Sequence, residues 1–382
     1  MKNNKLNVEI IEKEPIDVLI KYIDLRDSNL ERNNLHQIQK DFDNEELKYS
    51  IRSILKNIPW VRKIFILMPN EKVRFFKNNS LIGDKIIYVK DKDLIGFESS
   101  NTNAFLFRYW KMKKFGISDN FIVMDDDYFI GKKLKKSDFF YVEKGKVVPS
   151  IVSSKFLKVE KNLSIEKKKL YKSRVMNCKE EQNDDAFNYS LQITYLLIMK
   201  EFKIDLMHIP KFTHNAIPVN LNELREIYNL VYTSKYKFST LYSLYREIGY
   251  VQFQSCYFLF IFLKYKRKVI DISSKYIVIN RPFSSNYNYA LFCINKGPYN
   301  YSFLDEYKAK ITMEYLFPNP TPYEVINNNL IDISFNIVKT MELNISQNDE
   351  KIKAKFKLNS KNFLKKILLI MSFFFFFKIY SI

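Results

Sequence analysis

The chain reads as α/β: a mostly parallel sheet with helices on both faces in its first part, then a helical second half that completes the same site. Three observations carry this. Short apolar runs rich in branched residues recur at 16–23, 63–68, 85–89 and 120–124, the pattern of strands buried on both faces. Two stretches between them, 45–58 and 103–115, have helical rather than alternating spacing. Carboxylates follow the apolar runs, and open α/β sheets collect ligands at that edge. The order β-α-β-β-α-β is Rossmann-like.

Each element has its own signal. Residues 16–23 form a first strand that delivers Asp24 and Asp27 to its end. In 45–58, Leu47, Ile51, Ile54, Leu55 and Ile58 fall on one helical face, and Pro59 stops the helix. Tyr49, Arg52 and Ser53 lie away from that stripe. Asp91 and Asp93 stand just past the third strand. Beyond about 150 a lysine-rich, less periodic segment leads to helices expected over 183–200 and through much of 221–263. The apolar run Cys256–Leu263 is too short to span a bilayer and reads as a core helix. The expected division is an α/β part at 1–150, a mainly helical part at 151–300 and a basic C-terminal region at 301–382.

At 382 residues, 47% hydrophobic, the chain can bury a sizeable core. Only 7 glycines and 11 prolines exclude fibrous classes. Cys178, Cys256 and Cys293 are odd in number, without metal-ligand spacing, and suit a reducing compartment. Met1–Lys5 has no apolar leader core, which leads us to expect a cytoplasmic protein.

A net charge of +20 calls for an anionic partner or surface. Lysines from Lys351 to Lys366 precede the run Ile367–Phe377 with its five successive phenylalanines. This tail suits an anionic membrane surface, such as the inner face of the cell membrane, or else a buried helix with a solvated lysine face. No nucleic-acid motif is present, so no nucleic acid is expected as partner.

The densest chemistry lies at Phe121–Gly131, where four apolar residues run into Asp125, Asp126 and Asp127. Three adjacent carboxylates repel one another unless a cation sits among them, and hard divalent ions choose oxygen. Alternatively the triplet is a solvated acidic turn.

Upstream, Glu46–Ile54 (ELKYSIRSI) and Asn57–Ile66 (NIPWVRKIFI), with Gly116–Ser118 and the triple aspartate, resemble the Stealth family over about 45–140. Members are bacterial capsule-polysaccharide phosphotransferases related to the eukaryotic N-acetylglucosamine-1-phosphotransferase. Three further strings resemble its other blocks. Ile16–Val18 through Asp24 and Asp27 resembles the first, with Lys21, Tyr22 and Leu25 in place of threonine, tryptophan and glycine. His208–Pro210 followed by Arg246 and Gln252 resembles the third. Phe292–Asn295 resembles the fourth, with Lys296 and Gly297 where members usually carry aspartate. The resemblance covers roughly 15–300.

What it implies is transfer of a sugar-1-phosphate from a nucleotide-diphosphate sugar to a hydroxyl of a polysaccharide or oligosaccharide acceptor. On that reading Asp126 and Asp127 hold Mg²⁺ or Mn²⁺ with Asp125 supporting them, and Asn295 adds a neutral oxygen. Arg52 and Arg246 would clamp phosphates. His208 is the expected base for the acceptor hydroxyl, since imidazole titrates near working pH; taken alone it reads as a core histidine. Asp24 and Asp27 would bind nucleotide or metal, or cap a turn. Asn103 would contact substrate or cap the second helix.

Two rivals remain at this level. A metal-dependent glycosyltransferase would use the same acidic site but release a nucleoside diphosphate. A non-catalytic basic protein on membrane or nucleic acid would show salt-steep binding without turnover.

Overall fold

The computed structural model describes residues 2–23, 45–69, 85–97, 101–153, 155–158, 184–204, 208–211, 216–244, 249–271, 276–278, 290–293 and 310–324, apart from 311, with single positions 73, 76 and 99. Helix α1 (Lys2–Lys13) precedes β1 (Ile16–Lys21), α2 (Glu46–Asn57), β2 (Ile64–Met68) and β3 (Ile86–Lys90). Short helices α3 (Asp91–Ile95) and α4 (Thr102–Leu106) lead to β4 (Asn120–Asp125) and β5 (Tyr128–Ile130). Then come β6 (Phe140–Glu143), β7 (Lys146–Pro149), β8 (Ile151–Ser153) and β9 (Lys155–Lys158). The second half holds α5 (Asp184–Phe202), β10 (His208–Lys211), β11 (Ile217–Asn220), α6 (Leu221–Thr233) and α7 (Phe253–Tyr265). Three short strands follow, β12 (Val269–Asp271), β13 (Tyr276–Val278) and β14 (Leu291–Cys293).

The central sheet has the order β11-β4-β1-β2-β3. Its β4–β1, β1–β2 and β2–β3 pairings are parallel, and β11 runs antiparallel to β4 on the edge. The mostly parallel sheet expected from the sequence is therefore present. Its strands read as unbroken apolar runs because Val18–Ile20, Ile64–Met68 and Phe121–Met124 are buried on both faces.

The N-terminal edge of this sheet is tied by a buried carboxylate. Asp17 accepts from Arg62 Nε at 2.9 Å and Nη2 at 2.5 Å, from Lys63 N at 3.0 Å and from Ser118 N at 2.6 Å. One side chain thus fixes the starts of β1 and β2 and the approach to β4, with its charge matched by a bidentate guanidinium.

The helix expected over 103–115 is broken. The chain is α-helical over Thr102–Leu106 and then 3₁₀ over Tyr109–Phe115, ending at Gly116 with φ 84°. Arg108 causes the change. Its Nη1 donates to the Ala104 carbonyl at 2.9 Å, the acceptor that its own backbone N–H would take in an α-helix, and that N–H instead reaches Phe105 O at 2.8 Å. The cap of the first piece is Asn101, whose Oδ1 accepts from Asn103 N at 3.1 Å. The capping role expected of Asn103 therefore belongs to the residue two before it.

Helix α2 buries more than the expected apolar stripe, since Tyr49, Ser50, Ser53 and Asn57 are inaccessible as well. Its hydroxyl face is bonded to β5. Ser50 Oγ donates to Tyr128 O at 2.7 Å, Ser53 Oγ accepts from Ile130 N at 3.0 Å, and Asn57 Nδ2 donates to Ile130 O at 2.5 Å. Just past the helix, Trp60 Nε1 donates to Leu134 O at 2.7 Å.

This seam makes Ser53→Ala costly. The change leaves the buried Ile130 N–H without its acceptor, which should destabilise the fold by about 1–3 kcal/mol. Urea unfolding of the two proteins measures it, and equal midpoints would contradict the assigned bond.

Candidate functional site

Parallel register aligns the carboxyl ends of the central strands. Lys21 at the end of β1 lies opposite Asp125 at the end of β4, and Met68 opposite Lys90. Asp126 and Asp127 occupy the turn between β4 and β5. That turn is a corner between sheets, because β4 belongs to the central sheet while β5 pairs with β14 in a three-stranded sheet. An acidic turn inserted there projects from the ligand-binding edge of the α/β layer.

Several groups act on the corner. Cys293, on β14, donates its thiol to Asp127 Oδ2 at 3.2 Å. Burial, then the neighbouring Asp125 charge, pushes Asp127 up from the ordinary carboxylate value of 3.8 to about 7, against the lowering effect of the Cys293 bond. Asp126 is raised well above that ordinary value by burial first, then by Asp127, Glu46 and Asp125. Glu46, in the first turn of α2, is thus a fourth carboxylate acting on the corner, and sequence reasoning passed over it. Burial likewise raises the Cys293 thiol, with Asp127 adding to it. At Asp126 and Asp127 the ionised state is held back, with Asp125 and Glu46 beside them adding like charge, the condition that a bound cation relieves.

Among the described residues no group of three or more His, Cys, Asp or Glu side chains is arranged to hold a metal ion by itself. Magnesium sites that also bind phosphates use one or two carboxylates and complete the shell with phosphate and water oxygens. Asp126 and Asp127, hard oxygen donors with raised proton affinity, fit such a partial site.

The remaining expected residues fall in different places. Asp24, Asp27, Arg246 and Asn295 lie outside the described residues, as does the tail from Lys351. His208 is placed in β10, where it pairs with Lys158 of β9, and Ile209 and Pro210 continue that strand. Asn103 is buried at the start of α4.

Arg52 is held by a carboxylate. Its Nε reaches Glu324 Oε1 at 2.9 Å and its Nη2 reaches Oε2 at 2.5 Å, while Nη1 donates to Phe317 O at 2.8 Å. The same segment gives Glu314 to Tyr49 (2.8 Å) and stacks Phe317 on Phe129 and Phe292, with centroids 6.0 and 6.3 Å away. Residues 312–324 thus cover α2 and the back of β5, a contact that no sequence pattern announced.

A second feature missed in the sequence is Lys21. Its Nζ bonds Asp91 Oδ2 at 2.6 Å and lies 4.7 Å from the Phe105 ring centroid, so a cation stands at the same strand-end row as Asp125. The available signal was a lysine closing the buried apolar run Val18–Ile20.

Comparison with known proteins places this geometry. The family profile described as Stealth protein CR2, conserved region 2, matches residues 40–148, which contain α2, β2–β5 and the acidic corner. The capsular polysaccharide phosphotransferase cps1A of Actinobacillus pleuropneumoniae is 35% identical over 99 residues, 26% of this chain and 27% of that protein. The human N-acetylglucosamine-1-phosphotransferase subunits alpha/beta are 34% identical over 113 residues, 28% of this chain and 8% of theirs. The capsular polysaccharide phosphotransferase WcwK of Streptococcus pneumoniae is 25% identical over 353 residues, 81% of this chain and 98% of that protein. The matched stretch spans about a quarter of the Actinobacillus relative, and the resemblance read from ELKYSIRSI and the triple aspartate is borne out.

The raised Asp127 carboxyl has a measurable consequence. Its folded value of about 7 exceeds the ordinary 3.8, so the folded state holds the extra proton between the two. Stability of the cation-free protein should therefore fall as pH rises through that window, and the isosteric Asp127→Asn should flatten the slope. Mn²⁺ should raise the melting temperature more above about pH 7 than below it, because the ligand must first lose its proton. A pH-independent melting temperature, with and without Mn²⁺, would refute the assignment.

Proposed function

We propose that the chain transfers a sugar-1-phosphate from a nucleotide-diphosphate sugar to a glycan hydroxyl in the synthesis of a capsule or other cell-surface polysaccharide. The observation that carries this reading is the acidic corner at the carboxyl edge of a parallel sheet, inside the segment shared with capsular phosphotransferases. The acceptor oxygen attacks the β-phosphorus, a phosphodiester forms, the bridging P–O bond breaks and nucleoside monophosphate leaves.

In this reading Asp126 and Asp127 hold Mg²⁺ or Mn²⁺, with Asp125 and Glu46 setting the field around them and Asn295 adding a neutral oxygen. The ion supplies charge neutralisation on the donor diphosphate. His208 removes the acceptor proton; Pro210 and the pairing of β10 with β9 keep its backbone extended. Arg246 clamps phosphate. Arg52 positions α2 through Glu324, and would reach a phosphate only by exchanging that partner. Asp24, Asp27 and Asn103 would contact the nucleotide. The α/β part at 1–150 supplies the corner, 151–300 completes the site, and 301–382 includes the tail.

Among the described residues no helix is long and apolar enough to cross a membrane. We place the enzyme in the cytoplasm, peripheral to the inner face of the cell membrane, with the tail from Lys351 as one contact.

Incubation with nucleotide sugars, Mg²⁺ or Mn²⁺ and capsule-type oligosaccharides should release nucleoside monophosphate. Release of the diphosphate instead would mean glycosyl transfer, and salt-steep binding without turnover would mean no enzyme at all. His208→Ala should lower turnover about 10²- to 10⁴-fold with donor affinity little changed. A folded His208→Ala protein with normal turnover at alkaline pH would return the histidine to a packing role.

A further inference from the structure

Between Glu226 and Glu247 the chain carries no Asp or Glu, yet it holds Lys235 and Lys237 among tyrosines and leucines. The described part folds as the end of α6 followed by a π-helical turn, Phe238–Tyr242. The turn puts apolar side chains on the outside: Phe238 is 73% exposed, Leu244 50%, Tyr232 41% and Tyr242 39%. Isolated surface apolar residues are ordinary, but four within one short segment form a patch. π-turns are rare and concentrate at functional sites.

The lysines are set by the rings. Lys237 Nζ stands 3.6 Å from the centroid of Tyr232 and 5.6 Å from that of Tyr242, and Lys235 Nζ stands 5.2 Å from that of Tyr236. The result is a cluster of exposed apolar side chains with tyrosine rings and lysine ammonium groups beside them. That combination suits a lipid–water boundary, where apolar groups meet the acyl edge, tyrosine the headgroup level and ammonium groups lipid phosphate.

We infer that this patch docks reversibly on an anionic membrane surface. A polyanionic glycan would engage the lysines and rings but would leave Phe238 and Leu244 in water. A lipid surface uses all of them, and the acid-free stretch supplies the charge complementarity.

The turn is fixed to the candidate site's edge. Asn101 Nδ2 donates to Ser243 Oγ at 2.9 Å and to Thr240 O at 3.1 Å, and Ser99 Oγ donates to Ser243 O at 3.0 Å. Arg108 Nη1 donates to Leu241 O at 2.8 Å. These donors lie on the stretch that follows β3 and α3 at the carboxyl edge, so docking here sets the edge that carries Asp125 beside the bilayer. The inference stands on this surface alone and survives a failed coproduct assay.

The test uses the full chain in co-sedimentation with vesicles of phosphatidylcholine, alone or containing phosphatidylglycerol. Binding to the anionic vesicles is expected, with little to the neutral ones. Phe238→Ser with Leu244→Ser should lower partitioning at least about tenfold. Lys235→Gln with Lys237→Gln should lower it about fivefold per lysine, with the melting temperature unchanged. If the serine pair disturbs the turn, the lysine pair decides. Wild-type partitioning in both pairs would overturn the inference and leave all contact to the tail. So would equal binding of soluble polyphosphate by wild type and serine pair without vesicle binding, which would mark a polyanion site.

Discussion

The site depends on one constraint: a corner between two sheets must be held still while carrying adjacent charges that repel. Helix α2 supplies the hold. Ser50, Ser53 and Asn57 recur on one helical face and meet the carbonyls and amide of Tyr128 and Ile130, the residues just after the acidic turn. A strand that leaves one sheet for another loses ladder partners at the switch, and buried backbone groups must be satisfied elsewhere. Side-chain hydroxyls and an amide take that role here, so helix and corner move as one body.

The hold extends outward through charge pairs. Arg52 leaves the opposite side of α2 and is gripped by Glu324, whose Oε1 also accepts from Thr321 N at 2.9 Å. Both side chains are nearly inaccessible, at 9% and 3% exposure, so removing either partner strands a buried charge, which costs far more than the pair contributes. The same logic appears at Glu223, which accepts from Arg267 Nη2 at 2.7 Å and from Tyr257 Oη at 2.6 Å, while at Asp17 the carboxylate is buried and its partner Arg62 is exposed. Each ion pair joins segments far apart in the chain. Charge here fixes which segments meet, while the apolar core running from Ile11 to Cys293 supplies the driving force.

What the sequence disclosed follows from which interactions are local. The central strands were legible because burial on both faces writes an unbroken apolar run, and the end of α2 because Pro59 forbids continuation. The acidic corner was legible because three adjacent carboxylates at the end of such a run repel one another until a cation meets them. The seam of Ser50 and Ser53 was not, since a hydroxyl gives no sign of whether it bonds water or a distant strand. The break at Arg108 was hidden because a long side chain competing for its own helix's carbonyl leaves the spacing intact. The docking of 312–324 onto α2 was hidden too, being a contact across more than two hundred residues with no periodic signature.

The corner also explains why its surroundings are so firmly pinned. Asp126 and Asp127 lie where burial and mutual repulsion both oppose ionisation, so in the absence of a cation they work against the folded state. A flexible turn would relieve this by swinging the carboxylates into water. The hydroxyl seam, the Cys293 thiol on Asp127 and the Phe129–Phe292–Phe317 stack behind β5 all oppose that relaxation. Rigidity behind the carboxylates keeps their repulsion unrelieved, and on the proposed reading that repulsion would favour a divalent ion, because positive charge alone would release it.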